Sequence, residues 1–177
     1  MLEKGEKSLR KSTPKVVKPL ALPFLSASDS LLLNLLEKRL NICMPLDYIT
    51  ITSHYGYRQD PFTKCQRFHD GIDLRCGNGL VYSMLPGRVA AVHHGDTGYG
   101  NYVIIYHGKM SDGNQYSTLY GHMRSVATSA GKYVQQGEII GYVGSTGNST
   151  GNHLHLEVWR GGSKANAVNP RGYIPMR

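Results

Sequence analysis

Beyond Pro45 the chain places apolar residues at every second position, in short runs broken by glycine, Asp or Asn. That pattern admits short β-strands and leaves no stretch with the spacing of an ordinary helix. Ile49 and Ile51 alternate with Thr50 and Thr52. Strands are expected over Gly79–Pro86, Gly87–His93, Asn101–His107 and Gln115–Tyr120. In the third of these, Val103, Ile105 and His107 share one face, and Tyr102, Ile104 and Tyr106 the other. Ser111-Asp112-Gly113-Asn114 reads as a hairpin loop, and Val126 to Gly141 as further short strands with tight corners. The expected class is mainly β, an antiparallel sheet or sandwich. Composition agrees: 21 glycines suit many turns, and 177 residues with 40% hydrophobic content suffice for one core.

The first 45 residues differ. Residues 1–27 form a basic arm, in which six Lys/Arg and two Glu leave net +4, half of the chain's +8. Residues 28–45 read as a linker carrying a short amphipathic helix over about 29–41. Ser28-Asp29-Ser30 caps it, and Leu31, Leu32, Leu35, Leu36 and Leu40 form its apolar stripe. No run approaches the roughly 20 apolar residues of a membrane span, and none resembles a signal-peptide core. The basic balance favours an anionic partner. Nucleic acid is not expected, because the β-region lacks cations interleaved with aromatics. Cys43, Cys65 and Cys76 are odd in number, which argues against a complete disulfide framework; Cys65 and Cys76 can pair if their Cβ atoms approach.

The eight histidines carry the chemistry. In His153-Leu154-His155-Leu156-Glu157-Val158-Trp159 the alternation is regular, so the two imidazoles, Glu157 and Trp159 share one face of a strand and the aliphatics the other. Two histidines at i, i+2 can converge on one metal ion. His69-Asp70-Gly71-Ile72-Asp73 offers a histidine and a carboxylate four apart around a glycine, a donor pair suited to zinc. His122 follows a strand in Tyr120-Gly121-His122. A structural zinc on Cys65, His69 and Cys76 is the rival arrangement; it leaves Asp73, His122, His153 and His155 unexplained.

The stretch from about Ser53 to Pro170 resembles the zinc metallopeptidases of the lysostaphin and LytM type, peptidase family M23. The resemblance rests on His69…Asp73 followed by His153-Leu154-His155. Supporting it are Ser53–Arg58, Pro86–Val89, Gly98–Val103, Ile105–Gly108, Thr118–Met123, Val134–Gly141 and Gly144–Gly151. It implies that residues 46–177 are an M23-like metallopeptidase domain, and that His69, Asp73 and His155 ligate one Zn2+ per chain. Three protein ligands leave a position for water. By the same resemblance His122 and His153 flank the metal, one taking the water's proton and both stabilising the tetrahedral oxyanion.

Glu157 is a candidate to orient a ligand, and a plain solvated or ion-paired carboxylate is the alternative. Tyr120, Asn148 and Ser149 are candidates for the substrate groove. The implied substrate is the stem or cross-bridge peptide of bacterial peptidoglycan, at a periplasmic, extracellular or wall-associated location. The implied activity is endopeptidase, and a non-catalytic wall-binding or hydrolase-activating module is the alternative. Arg75 and Cys76 depart from the family, which often has small apolar residues there.

Overall fold

The computed structural model describes residues 42–75 and 79–174. The helix expected over 29–41 lies outside the described residues, as do the basic arm and Cys76, and with it the Cys65–Cys76 pair. Thirteen strands follow in order: β1 (Thr50–Ser53), β2 (Gly56–Gln59), β3 (Gln66–His69), β4 (Ile72–Arg75), β5 (Leu80–Tyr82), β6 (Gly87–His93), β7 (Asn101–Lys109), β8 (Gln115–Met123), β9 (Ser125–Val126), β10 (Tyr133–Val134), β11 (Ile139–Tyr142), β12 (Leu154–Arg160) and β13 (Ala167–Val168). Helical structure among the described residues is limited to two 3-10 turns, Lys164–Asn166 and Pro170–Gly172. The mainly β, antiparallel class expected from the alternation is the one observed.

The large sheet runs β1-β4-β12-β8-β7-β6-β10, with β13 beside the far half of β12. A second sheet has the order β5-β11-β9, and β2 pairs β3 as a hairpin. Ile72 and Leu74 of β4, Leu154 and Leu156 of β12, and Val103 and Ile105 of β7 point to one face and are fully buried. Val81 of β5 and Ile140 of β11 belong to the same cluster, so the small sheet closes the core from that side. Burying each such side chain contributes on the order of 1.5–3 kcal/mol. The strand expected over Gly79–Pro86 is only Leu80–Tyr82. Beyond it Ser83 Oγ donates to the Leu85 carbonyl at 2.7 Å, and Pro86 has no N–H for a ladder.

Two local features set the site on the opposite face of the large sheet. Asp70-Gly71 connects β3 to β4 with Gly71 pressed against β12. A Cβ there would lie 2.4 Å from the Leu156 carbonyl oxygen and 2.9 Å from His155 Cε1. Gly71 is thus required for close approach rather than for a tight bend. At the end of β8 the register with β7 shifts: Val103 faces Tyr120, but Asn101 faces Met123. The extra residue is a β-bulge at Gly121-His122, with His122 in the left-handed region at φ 61°.

Candidate metal centre and groove

The antiparallel register puts His155 of β12 directly opposite Asp73 of β4 on one side and Gly121 of β8 on the other. His69, at the end of β3, approaches from the hairpin. His69 Nδ1 lies 2.9 Å from the His54 carbonyl oxygen. A carbonyl only accepts, so Nδ1 carries the proton and Nε2 the lone pair. His155 Nε2 donates to Glu157 Oε1 at 3.0 Å, which leaves the Nδ1 lone pair pointing inward.

Three acceptor atoms therefore face one another. His69 Nε2 is 3.1 Å from His155 Nδ1, and Asp73 Oδ1 is 2.9 Å from His155 Nδ1 and 3.2 Å from His69 Nε2. Ligands on a tetrahedral ion with bonds of roughly 2.0–2.1 Å stand about 3.3 Å apart. These three atoms match that spacing, and they alone form such a cluster among the described residues. Without a cation, protons must fill the gap. Burial would raise the Asp73 carboxyl, but hydrogen bonds from His155 and His69 hold it well below the usual carboxylate range. Burial would likewise lower His155, yet Asp73 and Glu157 together raise it. A divalent ion displaces such protons on binding.

Glu157 is fully buried and orders the far side of His155. Its Oε1 accepts from His155 Nε2 and, at 2.5 Å, from the Tyr99 hydroxyl; its Oε2 accepts from Trp159 Nε1 at 2.6 Å. Burial would raise this carboxyl, and the hydrogen bonds led by His155 lower it. It remains an anion that fixes the His155 tautomer and ring plane. Tyr99 also stacks on His155, with centroids 5.3 Å apart. Its carbonyl accepts the His122 backbone N–H at 2.8 Å.

His122 and His153 stand beside this cluster, with ring centroids 4.7 Å apart. Each turns Nδ1 away to a backbone carbonyl: His122 to Thr146 at 2.8 Å and His153 to Gly151 at 2.7 Å. Each therefore presents an Nε2 lone pair to the groove, and His153 Nε2 comes within 3.6 Å of Asp73 Oδ1. Burial lowers His122 to about 4, so its ring is neutral near pH 7 and able to accept a proton.

The groove over the cluster encloses about 580 Å³ and is open to solvent. Asn148 and Ser149 line it; the Asn148 N–H donates to the Gly98 carbonyl at 2.9 Å, and Ser149 Oγ lies 3.3 Å from His153 Nδ1. Tyr120 is not part of the groove. It is fully buried in the core, its hydroxyl accepting the Met84 N–H at 2.9 Å. The bulge at Gly121-His122 turns these two residues to opposite sides of the sheet, Tyr120 to the core and His122 to the groove. Sequence reasoning also missed Tyr99 and Arg58, whose guanidinium lies 3.5 Å from Asp73 Oδ2. The glycines flanking Tyr99 were the available signal for the first, since they let its backbone fold against His122.

Residues 67–170 match the model of peptidase family M23. The chain is 39% identical over 125 residues to the DD-carboxypeptidase/endopeptidase Mpg of Neisseria meningitidis, an alignment covering 71% of this chain and 28% of that protein. It is 36% identical over 128 residues to the peptidoglycan DD-endopeptidase ShyA of Vibrio cholerae, again 71% of this chain and 28% of the relative. Among solved structures, a zinc-containing peptidase from Vibrio cholerae superposes with a TM-score of 0.61 at 32% identity, covering 73% of this chain and 38% of that one. The catalytic domain of lysostaphin from Staphylococcus simulans gives 0.60 at 27% identity, covering 71% and 91%. The chain belongs to peptidase family M23. It spans less than a third of the length of these two relatives.

Proposed function

We propose that this chain is a zinc-dependent endopeptidase that hydrolyses peptide bonds in the stem or cross-bridge peptides of bacterial peptidoglycan. One observation carries the reading: three acceptor atoms, of His69, Asp73 and His155, stand 2.9–3.2 Å apart with their other polar atoms already committed. Those residues would hold one zinc ion per chain. When bound, zinc supplies a Lewis acid for the scissile carbonyl and lowers the pKa of water to near neutrality. His122 and His153 supply the proton chemistry. A neutral Nε2 takes the proton of the attacking water, and the resulting imidazolium donates it to the leaving nitrogen. The paired ring, when it has taken a proton from solvent on Nε2, donates a hydrogen bond to the developing oxyanion. The Thr146 and Gly151 carbonyls keep both rings in the tautomer that leaves Nε2 free.

The substrate class is supported by the relatives named for peptidoglycan and for DD-peptide bonds. Action on that substrate belongs to the periplasm or the cell surface, the location this reading assigns to the chain. In this reading residues 46–177 are the catalytic domain, with residues 42–45 packed against its core, and residues 1–27 are a basic arm ahead of it.

The test is digestion of purified peptidoglycan with mass analysis of the products. Intact glycans with cleaved peptides are expected, with loss of cleavage on chelation, recovery with zinc, and no cleavage by His155→Ala. Cleaved sugars, or full activity of His155→Ala, would overturn the reading.

A further inference from the structure

Arg75 is one of two positions, with Cys76, at which the sequence departs from the family pattern, and it belongs neither to the metal cluster nor to the histidine pair. Strand β4 buries Ile72 and Leu74 in the core, so Asp73 and Arg75 share the groove face. Arg75 stands two residues from the carboxylate of the metal cluster, roughly 6.5–7 Å along the strand. Continuing the β4–β12 register past Leu74 and Leu154 sets it level with His153. It is exposed and lines the groove.

The other charges of the groove are already matched. Arg67 lies 3.5 Å from Asp60, Lys164 3.8 Å from Asp70, and Arg58 3.5 Å from Asp73, while Glu157 accepts from His155. Among the described residues Arg75 has no anionic partner. With four cationic and four anionic side chains lining the groove, a divalent ion leaves it with two net positive charges. The unmatched positive charge on a side chain is that of Arg75, beside the reacting centre. A guanidinium in such a position presents a planar fork of donors that fits a carboxylate in two-point contact.

We infer that Arg75 is a specificity-determining residue that receives a free carboxylate of the substrate peptide, one or two residues from the scissile bond. This deepens the proposed function and rests on it. A substrate of uncharged residues, such as an oligoglycine bridge, would leave Arg75 unsatisfied. An acidic cross-link would pair it.

The test uses two synthetic cross-linked peptides that differ only in that the carboxylates flanking the scissile bond are free or amidated. Binding to the zinc-loaded full chain is measured by calorimetry, and turnover separately. The wild-type protein should bind the free acid about fivefold more tightly. Arg75→Ala should lose that preference, Arg75→Lys should keep part of it, and affinity for the amidated peptide should be unchanged in both. The preference should shrink as salt is raised. Equal affinity of the wild type for the two peptides overturns the inference, as does an equal loss for both in Arg75→Ala. Absence of cleavage of every peptide by the wild type refutes the endopeptidase reading instead, and the binding comparison still decides the role of Arg75.

Discussion

Replacing Glu157 by Gln separates the role of this buried carboxylate from its shape. The carboxylate receives three donors: His155 Nε2 and Tyr99 OH on Oε1, and Trp159 Nε1 on Oε2. An amide has one acceptor oxygen. If that oxygen keeps the Oε1 position, the amide NH2 faces the Trp159 N–H and one buried donor is orphaned, at about 1–3 kcal/mol. The reverse orientation orphans two and is worse. The charge is lost in either case. Glu157 and a divalent ion on the other side of the imidazole are roughly 6.5 Å apart, where +2 and −1 attract by about 5 kcal/mol at an effective dielectric of 20. Protons held by the metal-free cluster offset part of this, so the expected loss is the 10–100-fold in affinity seen when such partners are removed, about 1.4–2.7 kcal/mol. The assay is zinc competition against a chromogenic chelator, with thermal unfolding of the metal-free protein as the control for folding. A folded Glu157→Gln protein that binds zinc as tightly as the wild type would refute the argument that Glu157 orders the His155 ligand.

Three further outcomes are expected. His122→Ala and His153→Ala should each keep zinc near stoichiometry by elemental analysis and lose kcat by 10²–10⁴-fold, because both rings face the groove without joining the three-atom cluster. Gly71→Ala should destabilise the fold by about 1–3 kcal/mol in urea titrations and weaken zinc binding, since the new Cβ meets the Leu156 carbonyl and the His155 ring. His107 is lowered to about 4, chiefly by burial, with Nδ1 on the Pro86 carbonyl and Nε2 on Thr118 Oγ1. Its unfolded value is higher, near 6.5, so the unfolded chain binds more protons between those values. The stability it contributes is complete above pH 6.5 and is lost as pH falls toward 4. Allowing for its partial exposure, the loss is about 2 kcal/mol, and His107→Gln should flatten that part of the stability profile.

Alternation alone made much of the fold and the core of the site legible. It sorted Leu154, Leu156 and Val158 from His153, His155 and Glu157, and all three aliphatics are buried. Sequence spacing contains nothing about which distant strands pair. The step that completes the cluster, Asp73 opposite His155, is such a long-range pairing. Alternation carries no sign of where the backbone leaves it: one bulge at Gly121-His122 sends Tyr120 to the core and His122 to the groove. Tyr99 was hidden for a different reason. Its contribution is two hydrogen bonds and a stacked ring, one bond made by its main chain, and main-chain acceptors leave no mark on residue type.

Two of the three metal-facing atoms, and the glutamate behind them, project from the neighbouring strands β4 and β12 of the large sheet, whereas Asn148, Ser149 and the carbonyls that steer His122 and His153 come from the loop ahead of β12. The ladder that holds the ion and the loop that shapes one wall of the groove are thus inherited on different parts of the chain, although the tautomers of His122 and His153 depend on the loop. An insertion or exchange in the loop can retune which peptide enters without disturbing the ladder that holds the ion. A slip of one residue in the β4–β12 pairing would abolish the reaction and leave the loop intact. A scaffold partitioned in this way can acquire new substrates by editing its turns.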